Sequence, residues 1–144
     1  MARRRKRREP ETATITAVTH DGRGIADNGG KKAFVAGALE GESVTFIRRK
    51  SHRNFDDAEL LEIHEPSPDR IEARCEAYGR CGGCALQQVC SERQRGIKEQ
   101  TVRDNLELIG RVEPGYWFEP MTCPELLYRR SGRIAFKDVH GKGR

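Results

Sequence analysis

Residues 13–63 read ATITAVTHDGRGIADNGGKKAFVAGALEGESVTFIRRKSHRNFDDAELLEI, and the periodicity inside that stretch decides the fold class. Ala13, Ile15 and Ala17 alternate with Thr14 and Thr16; Val44 and Phe46 alternate with Ser43 and Thr45; Leu61 and Ile63 alternate with Leu60 and Glu62. A period of two puts one side of each segment toward a core and the other toward water, the pattern of short half-buried strands. Gly22, Gly24, Gly29, Gly30, Gly37 and Gly41 punctuate the gaps and permit tight turns. About fifty residues with four or five strands cannot fill a two-sheet sandwich, so closing the sheet on itself is the economical way to remove its edges. The expectation is a mainly β module over residues 12–66, a small β-barrel. Its glycines are turn residues rather than a nucleotide-binding loop, because Asp27 stands where the third glycine of G-x-G-x-x-G would fall and no helix follows.

Outside this stretch the chain is strongly polar. Of its 144 residues 35% are hydrophobic and 34% charged, and the mean hydropathy is −0.79, so the core must be modest. The formal net charge is +5, and Arg3, Arg4, Arg5, Lys6, Arg7 and Arg8 form one unbroken basic run. Without that run the remainder would be slightly acidic. A run of like charges repels itself open, so residues 1–11 read as a disordered arm that meets phosphates through counterion release. No apolar stretch follows it, and none reaches membrane-spanning length, so neither a secretory signal nor a membrane partner is expected and the chain is expected to be cytoplasmic.

Pro66-Ser67-Pro68 ends the strand pattern and marks a module boundary. Beyond it Cys75, Cys81 and Cys84 form C-x5-C-x2-C, with Gly82 and Gly83 inside the closer pair. Thiols two residues apart can hold one metal centre from a single turn, and glycine lets the backbone come close to sulfur. Cys90 and Cys123 bring the total to five, an odd number that internal disulfides cannot use up, and in a reducing compartment clustered thiols favour a metal. Spacing alone leaves iron–sulfur and zinc open, the latter with Cys90 as a fourth ligand. Leu86, Cys90, Ile97, Val102, Leu106 and Ile109 then fall near helical spacing, predicting a helix from about Leu86 or Ser91 to Ile109, capped by Gly110. This module spans residues 67–112. Tyr116, Trp117 and Phe118 form an aromatic group that serves as a hydrophobic anchor or a base-stacking surface. A basic strand pattern runs from Tyr128 to Phe136, and the turn-like ending at His140 to Arg144 lacks a returning strand, as expected of a truncated chain.

Arg74-Cys75-Glu76-Ala77-Tyr78-Gly79-Arg80-Cys81-Gly82-Gly83-Cys84-Ala85-Leu86-Gln87-Gln88 resembles the cysteine signature of the iron–sulfur RNA uracil-5-methyltransferases, the bacterial 23S rRNA enzymes above all. Upstream, Gly22-Arg23-Gly24-Ile25-Ala26 and Phe34-Val35-Ala36-Gly37-Ala38-Leu39-Glu40-Gly41-Glu42 look like a TRAM domain, the small OB-like RNA-binding barrel that fronts these enzymes. Downstream, Tyr128-Arg129-Arg130-Ser131-Gly132-Arg133 is similar to the strand that opens their α/β central domain, which residues 113–144 would begin. The resemblance implies a [4Fe-4S] cluster held by Cys75, Cys81 and Cys84, with a fourth cysteine located after the central-domain strands. Cys90 and Cys123 do not match that position. It implies ribosomal RNA as partner, and S-adenosylmethionine as methyl donor in the full-length parent only. The family's nucleophilic cysteine, base carboxylate and glycine-rich donor site belong to a C-terminal domain, so this chain alone is expected to be inactive. Phosphate contacts are expected from the arm, from Arg48, Arg49 and Lys50 at a strand end, and from Arg129 and Arg130. The competing readings are a free-standing zinc- or cluster-containing RNA-binding protein and a tRNA uracil-5-methyltransferase fragment.

Overall fold

The computed structural model describes residues 9–133; the arm Arg3–Arg8 and the end of the expected basic strand lie outside the described residues. Five strands close into a barrel: β1 (Glu11–Val18), β2 (Arg23–Ala26), β3 (Lys32–Ala36), β4 (Ser43–Ser51) and β5 (Phe55–Glu65), in the order β1-β2-β3-β5-β4 with β4 returning to β1. All neighbours are antiparallel except β3 and β5, which run parallel. This is the small closed barrel expected from the strand pattern, OB-like as the resemblance implies.

The alternation read from the sequence supplies the interior. Ala13 and Ile15 on β1, Ala33 and Val35 on β3, Val44 and Phe46 on β4 and Ala58 on β5 form one buried cluster with Ala26 and Ala38. The many alanines suit a narrow lumen, and Phe46 is its one large plug, fully buried and contributing about 1.5–3 kcal/mol by removal from water. Gly24 is required by the same narrowness. A Cβ there would lie 2.9 Å from both the Ala38 carbonyl oxygen and Ile15 Cγ2.

Leu61 and Ile63 do not share a face. Opposite β4, Thr45 pairs with Glu62 but Phe46 pairs with Leu60, so Leu61 is an extra residue in β5. The bulge reverses the alternation: Leu60 and Ile63 pack against the core, and Leu61 stays exposed.

Leu39 at the barrel mouth, Val89 and Ile97 form a second buried cluster, with Val18 and Leu86 against it, and this seats α1 (Ser91–Asp104) beside the barrel. Glu92 in its first turn and Arg103 in its last complement the helix dipole. The helix does not end at Gly110 in the way expected. It widens into a π turn over Asn105–Gly110, which carries the chain one position further, and Arg111 takes the left-handed cap conformation at φ 50°. From Val112 to Arg133 there is neither helix nor strand. The expected basic strand is therefore absent over residues 128–133, where no described segment offers a pairing edge, and a lone strand is not stable. No helix among the described residues is long and apolar enough to cross a membrane.

Candidate metal loop and nucleic-acid interface

The cysteine segment is an excursion between β5 and α1 that is fastened at its neck. Its anchor is Glu42, fully buried on the loop that follows β3. Arg70 donates to both carboxylate oxygens, Nε to Oε1 at 2.5 Å and Nη2 to Oε2 at 2.8 Å, and Nη2 also donates to the Gly37 carbonyl at 2.7 Å. The Leu39 and Ser67 amides donate to the same carboxylate at 2.8 and 3.1 Å. Burial alone would raise the Glu42 carboxyl, but the Arg70 guanidinium and the two amides outweigh it and hold it below the ordinary carboxylate range. Just beyond, Arg70 bridges Val89, Ile71 N donates to the Gln88 carbonyl, and Cys90 N donates to the Asp69 carbonyl, each bond 2.9 Å.

Inside this neck the chain folds on itself around Tyr78. Tyr78 N donates to the Cys75 carbonyl and Cys81 N to the Ala77 carbonyl, both at 2.9 Å, with Gly79 and Gly82 in left-handed turns. The Cys75 amide donates to Gln87 Oε1 at 3.2 Å, and the Tyr78 hydroxyl reaches the Ala85 carbonyl at 2.9 Å and the buried Gln88 side chain. Burial raises the Tyr78 phenol above its ordinary pKa. The loop rests on the barrel through Gly22: a Cβ there would stand 2.6 Å from the Ala85 carbonyl oxygen.

Cys75, Cys81 and Cys84 are all exposed on this loop. Their chemistry fits a thiolate-bound centre: three soft sulfur donors within ten residues, with Cys81 Sγ close to Gly83 at 3.4 Å from where its Cβ would be. Among the described residues no three His, Cys, Asp or Glu side chains have converged into a ligand set, so the loop presents the donor types without a finished cage. Cys90 is half-buried with its thiol 3.7 Å from an Asp69 carboxylate oxygen, and Cys123 is exposed on the segment after α1.

The expected phosphate contacts separate. Arg48 is engaged inside the barrel end: Nε and Nη2 donate to the two Glu11 oxygens at 2.8 and 3.1 Å, and Nη1 donates to Asp56 Oδ2 at 3.0 Å and the Lys31 carbonyl at 2.7 Å. Little of its donor fork remains for phosphate. Arg49 is paired with Glu59 at 2.6 Å, but both are more than half exposed, and such a pair yields readily to a competing anion. Lys50 is exposed, as are Arg129 and Arg130. Trp117 lies under the Arg103 guanidinium at 3.9 Å, while Tyr116 and Phe118 meet edge to face and stay exposed.

Sequence reasoning missed a column of rings on the barrel's outer wall. Phe34 and Phe55 stack at 4.5 Å and 14°, and His52 stacks on Phe55 at 4.5 Å and 22°. The Arg23 guanidinium stands 5.0 Å from the Phe34 ring, and Asp57 ties the group together, accepting from Arg23 at 2.9 Å and bonding His52 at 2.7 Å. The only sequence signal was two phenylalanines at outward strand positions. The register that joins them comes from the parallel β3–β5 pairing.

No family model matches the chain. It is 42% identical over 137 residues, 94% of its length, to the 23S rRNA (uracil(1939)-C(5))-methyltransferase RlmD of Nitrosococcus oceani. Against the RlmD of Alcanivorax borkumensis it is 43% identical over 145 residues, and against that of Xanthomonas oryzae pv. oryzae 40% over 149 residues, 99% and 100% of the chain. Along nearly its whole length the chain is thus similar to 23S rRNA (uracil(1939)-C(5))-methyltransferases. It spans about a third of the length of these relatives, from 31% to 34%. The closed barrel and the C-x5-C-x2-C loop of this chain both lie in the stretch that matches these relatives.

Proposed function

We propose that this chain supplies RNA grip and an iron–sulfur centre to S-adenosylmethionine-dependent methylation of uracil C5 in 23S rRNA, in the cytoplasm. The observation that carries the reading is the three-cysteine loop, pinned at its neck by Glu42–Arg70 and seated on a closed OB-like barrel, in a chain about 40% identical to such enzymes along nearly its whole length. The division of labour follows the sequence: barrel over 12–66, cysteine module over 67–112, and the opening of a central domain over 113–144.

Cys75, Cys81 and Cys84 would hold three corners of a [4Fe-4S] cluster, and a fourth cysteine would come from outside this loop. When bound, such a cluster fastens the loop through thiolate bonds and couples metal binding to folding. The chain's own residues do the remaining work. Gln87 and Tyr78 hold the loop's turns, and Gly22 lets Ala85 lie flat on the barrel. Arg49, Lys50, Arg129, Arg130 and the arm Arg3–Arg8 offer cations to the RNA backbone. Attack on uracil C6 and binding of the methyl donor fall to the part of the relatives' length that this chain does not span.

The test is purification of the 144-residue chain without air, followed by iron, sulfide and zinc analysis and RNA titration. Iron with sulfide and visible charge-transfer absorption is the expected result; stoichiometric zinc without that absorption overturns the cluster reading. Failure to bind any RNA overturns the other half.

A further inference from the structure

On β2, β3 and β5 the inward positions are occupied by small apolar residues, Ala26, Ala33, Val35 and Ala58, which already close the core. The outward positions of a strand with one solvated face are ordinarily polar. Here two of them are phenylalanines, both only partly buried, and they stack face to face instead of being split by a charged neighbour. His52 continues the column beyond Phe55, while on the Phe34 side no further described ring is stacked. Asp57 grips both the imidazole and the Arg23 guanidinium, so the two flanking groups are held in place before any ligand arrives. Lys32, exposed and in register with Phe55, adds a cation beside the rings.

We propose that this column is a stacking platform for the unpaired bases of single-stranded RNA. Bases extend the ring stack at the Phe34 end, where the Arg23 guanidinium, held by Asp21 and Asp57, adds cation–π attraction, and Lys32 faces the adjoining phosphates. The proposal rests on the RNA-binding reading above and deepens it by placing base contact on the outer wall of β2, β3 and β5. Three features select the ligand. Flat rings at stacking distance accept any base through its π-face, a guanidinium adds cation–π attraction, and an A-form duplex hides its base faces and cannot use them. The chemistry therefore discriminates single strands from duplexes rather than one base from another.

The experiment uses the full chain with a fluorescein-labelled single-stranded uridine-rich RNA and a duplex of the same length, titrated by anisotropy at several salt concentrations. Phe34→Leu and Phe55→Leu keep an apolar side chain on the wall but remove the ring. Each should weaken single-strand binding by about fivefold to a hundredfold while leaving the salt slope and duplex binding unchanged. Independently of any variant, photocrosslinking of the wild-type chain to RNA carrying 5-iodouridine should attach the base within residues 32–36 or 52–57. Single-strand binding unchanged in both variants, an equal loss for the duplex, or crosslinks only elsewhere would overturn the platform and leave the RNA-binding reading standing. A wild-type chain that binds neither RNA would overturn both.

Discussion

Replacing Arg70 by alanine should expose how much of this molecule hangs on one buried carboxylate. Glu42 is fully buried, and Arg70 satisfies both of its oxygens while reaching the Gly37 carbonyl. Removing one partner of such a pair costs about 3–5 kcal/mol, because the other charge stays behind uncompensated. Arg70 itself keeps 21% of its side chain in contact with water, and the Leu39 and Ser67 amides remain on the carboxylate, so the low end, about 3 kcal/mol, applies. For a folded unit of roughly a hundred residues that lowers Tm by about 10 °C or more. The pH dependence gives a sharper check. In the wild type the Glu42 carboxyl is held below its unfolded value. Its contribution is thus fully present above that unfolded value, near pH 4.5, and is lost as pH falls through the folded one. In Arg70→Ala burial prevails and the folded carboxyl rises, so the variant gains relative stability on acidification. Chemical denaturation followed by circular dichroism should show the gap between the two proteins shrinking from pH 7 to pH 4. A gap below about 1 kcal/mol at pH 7, or one that does not change with pH, would refute the clamp.

Gly24→Ala should destabilise the barrel by about 1–3 kcal/mol, since its Cβ meets backbone at Ala38 and the rigid Ile15 side chain; a thermal melt within error of wild type would contradict that packing. Deleting residues 1–9 should lower the slope of log affinity against log salt by about 2–3 units if three to four of the six arm cations engage single-stranded RNA, with any preference for a structured ribosomal hairpin retained. Cys75→Ser, Cys81→Ser and Cys84→Ser should each reduce bound iron after anaerobic purification, while Cys123→Ser should leave it unchanged; iron analysis of the four variants decides this.

The interior of the barrel was legible because a period of two is a local property: Ala13, Ile15, Val44 and Phe46 face inward as their alternation requires. Leu61 was misread because the bulge that reverses β5 depends on its pairing with β4, which no run of residues reveals. The thiols of the cysteine loop could be picked out by type and spacing, yet the neck that fastens it could not. Glu42 looks like an ordinary solvated acid until a guanidinium 28 residues later arrives beside it. Arg48 is a second case of pairing that spacing does not show. A cationic triplet suggests phosphate, but strand geometry turns its first member inward onto Glu11 and Asp56. The end of α1 shifted for a local reason, since a single π turn moves every cap position by one and leaves no mark in hydrophobic spacing.

The parallel seam between β3 and β5 has a consequence for synthesis. The β1-β2-β3 meander can pair as soon as Ala36 is made, but the second edge of β3 has no partner until Phe55–Glu65 follows, after the whole of β4. At about 5–20 residues per second, a ribosome leaves that edge uncovered for roughly one to a few seconds. An open edge of this kind can recruit another chain, and β3 carries Lys32 at its start, the type of residue that discourages such pairing. Only after β5 seals the edge does the cysteine loop emerge. The loop then meets a finished wall at Gly22, so the nascent chain builds its support before the segment that leans on it.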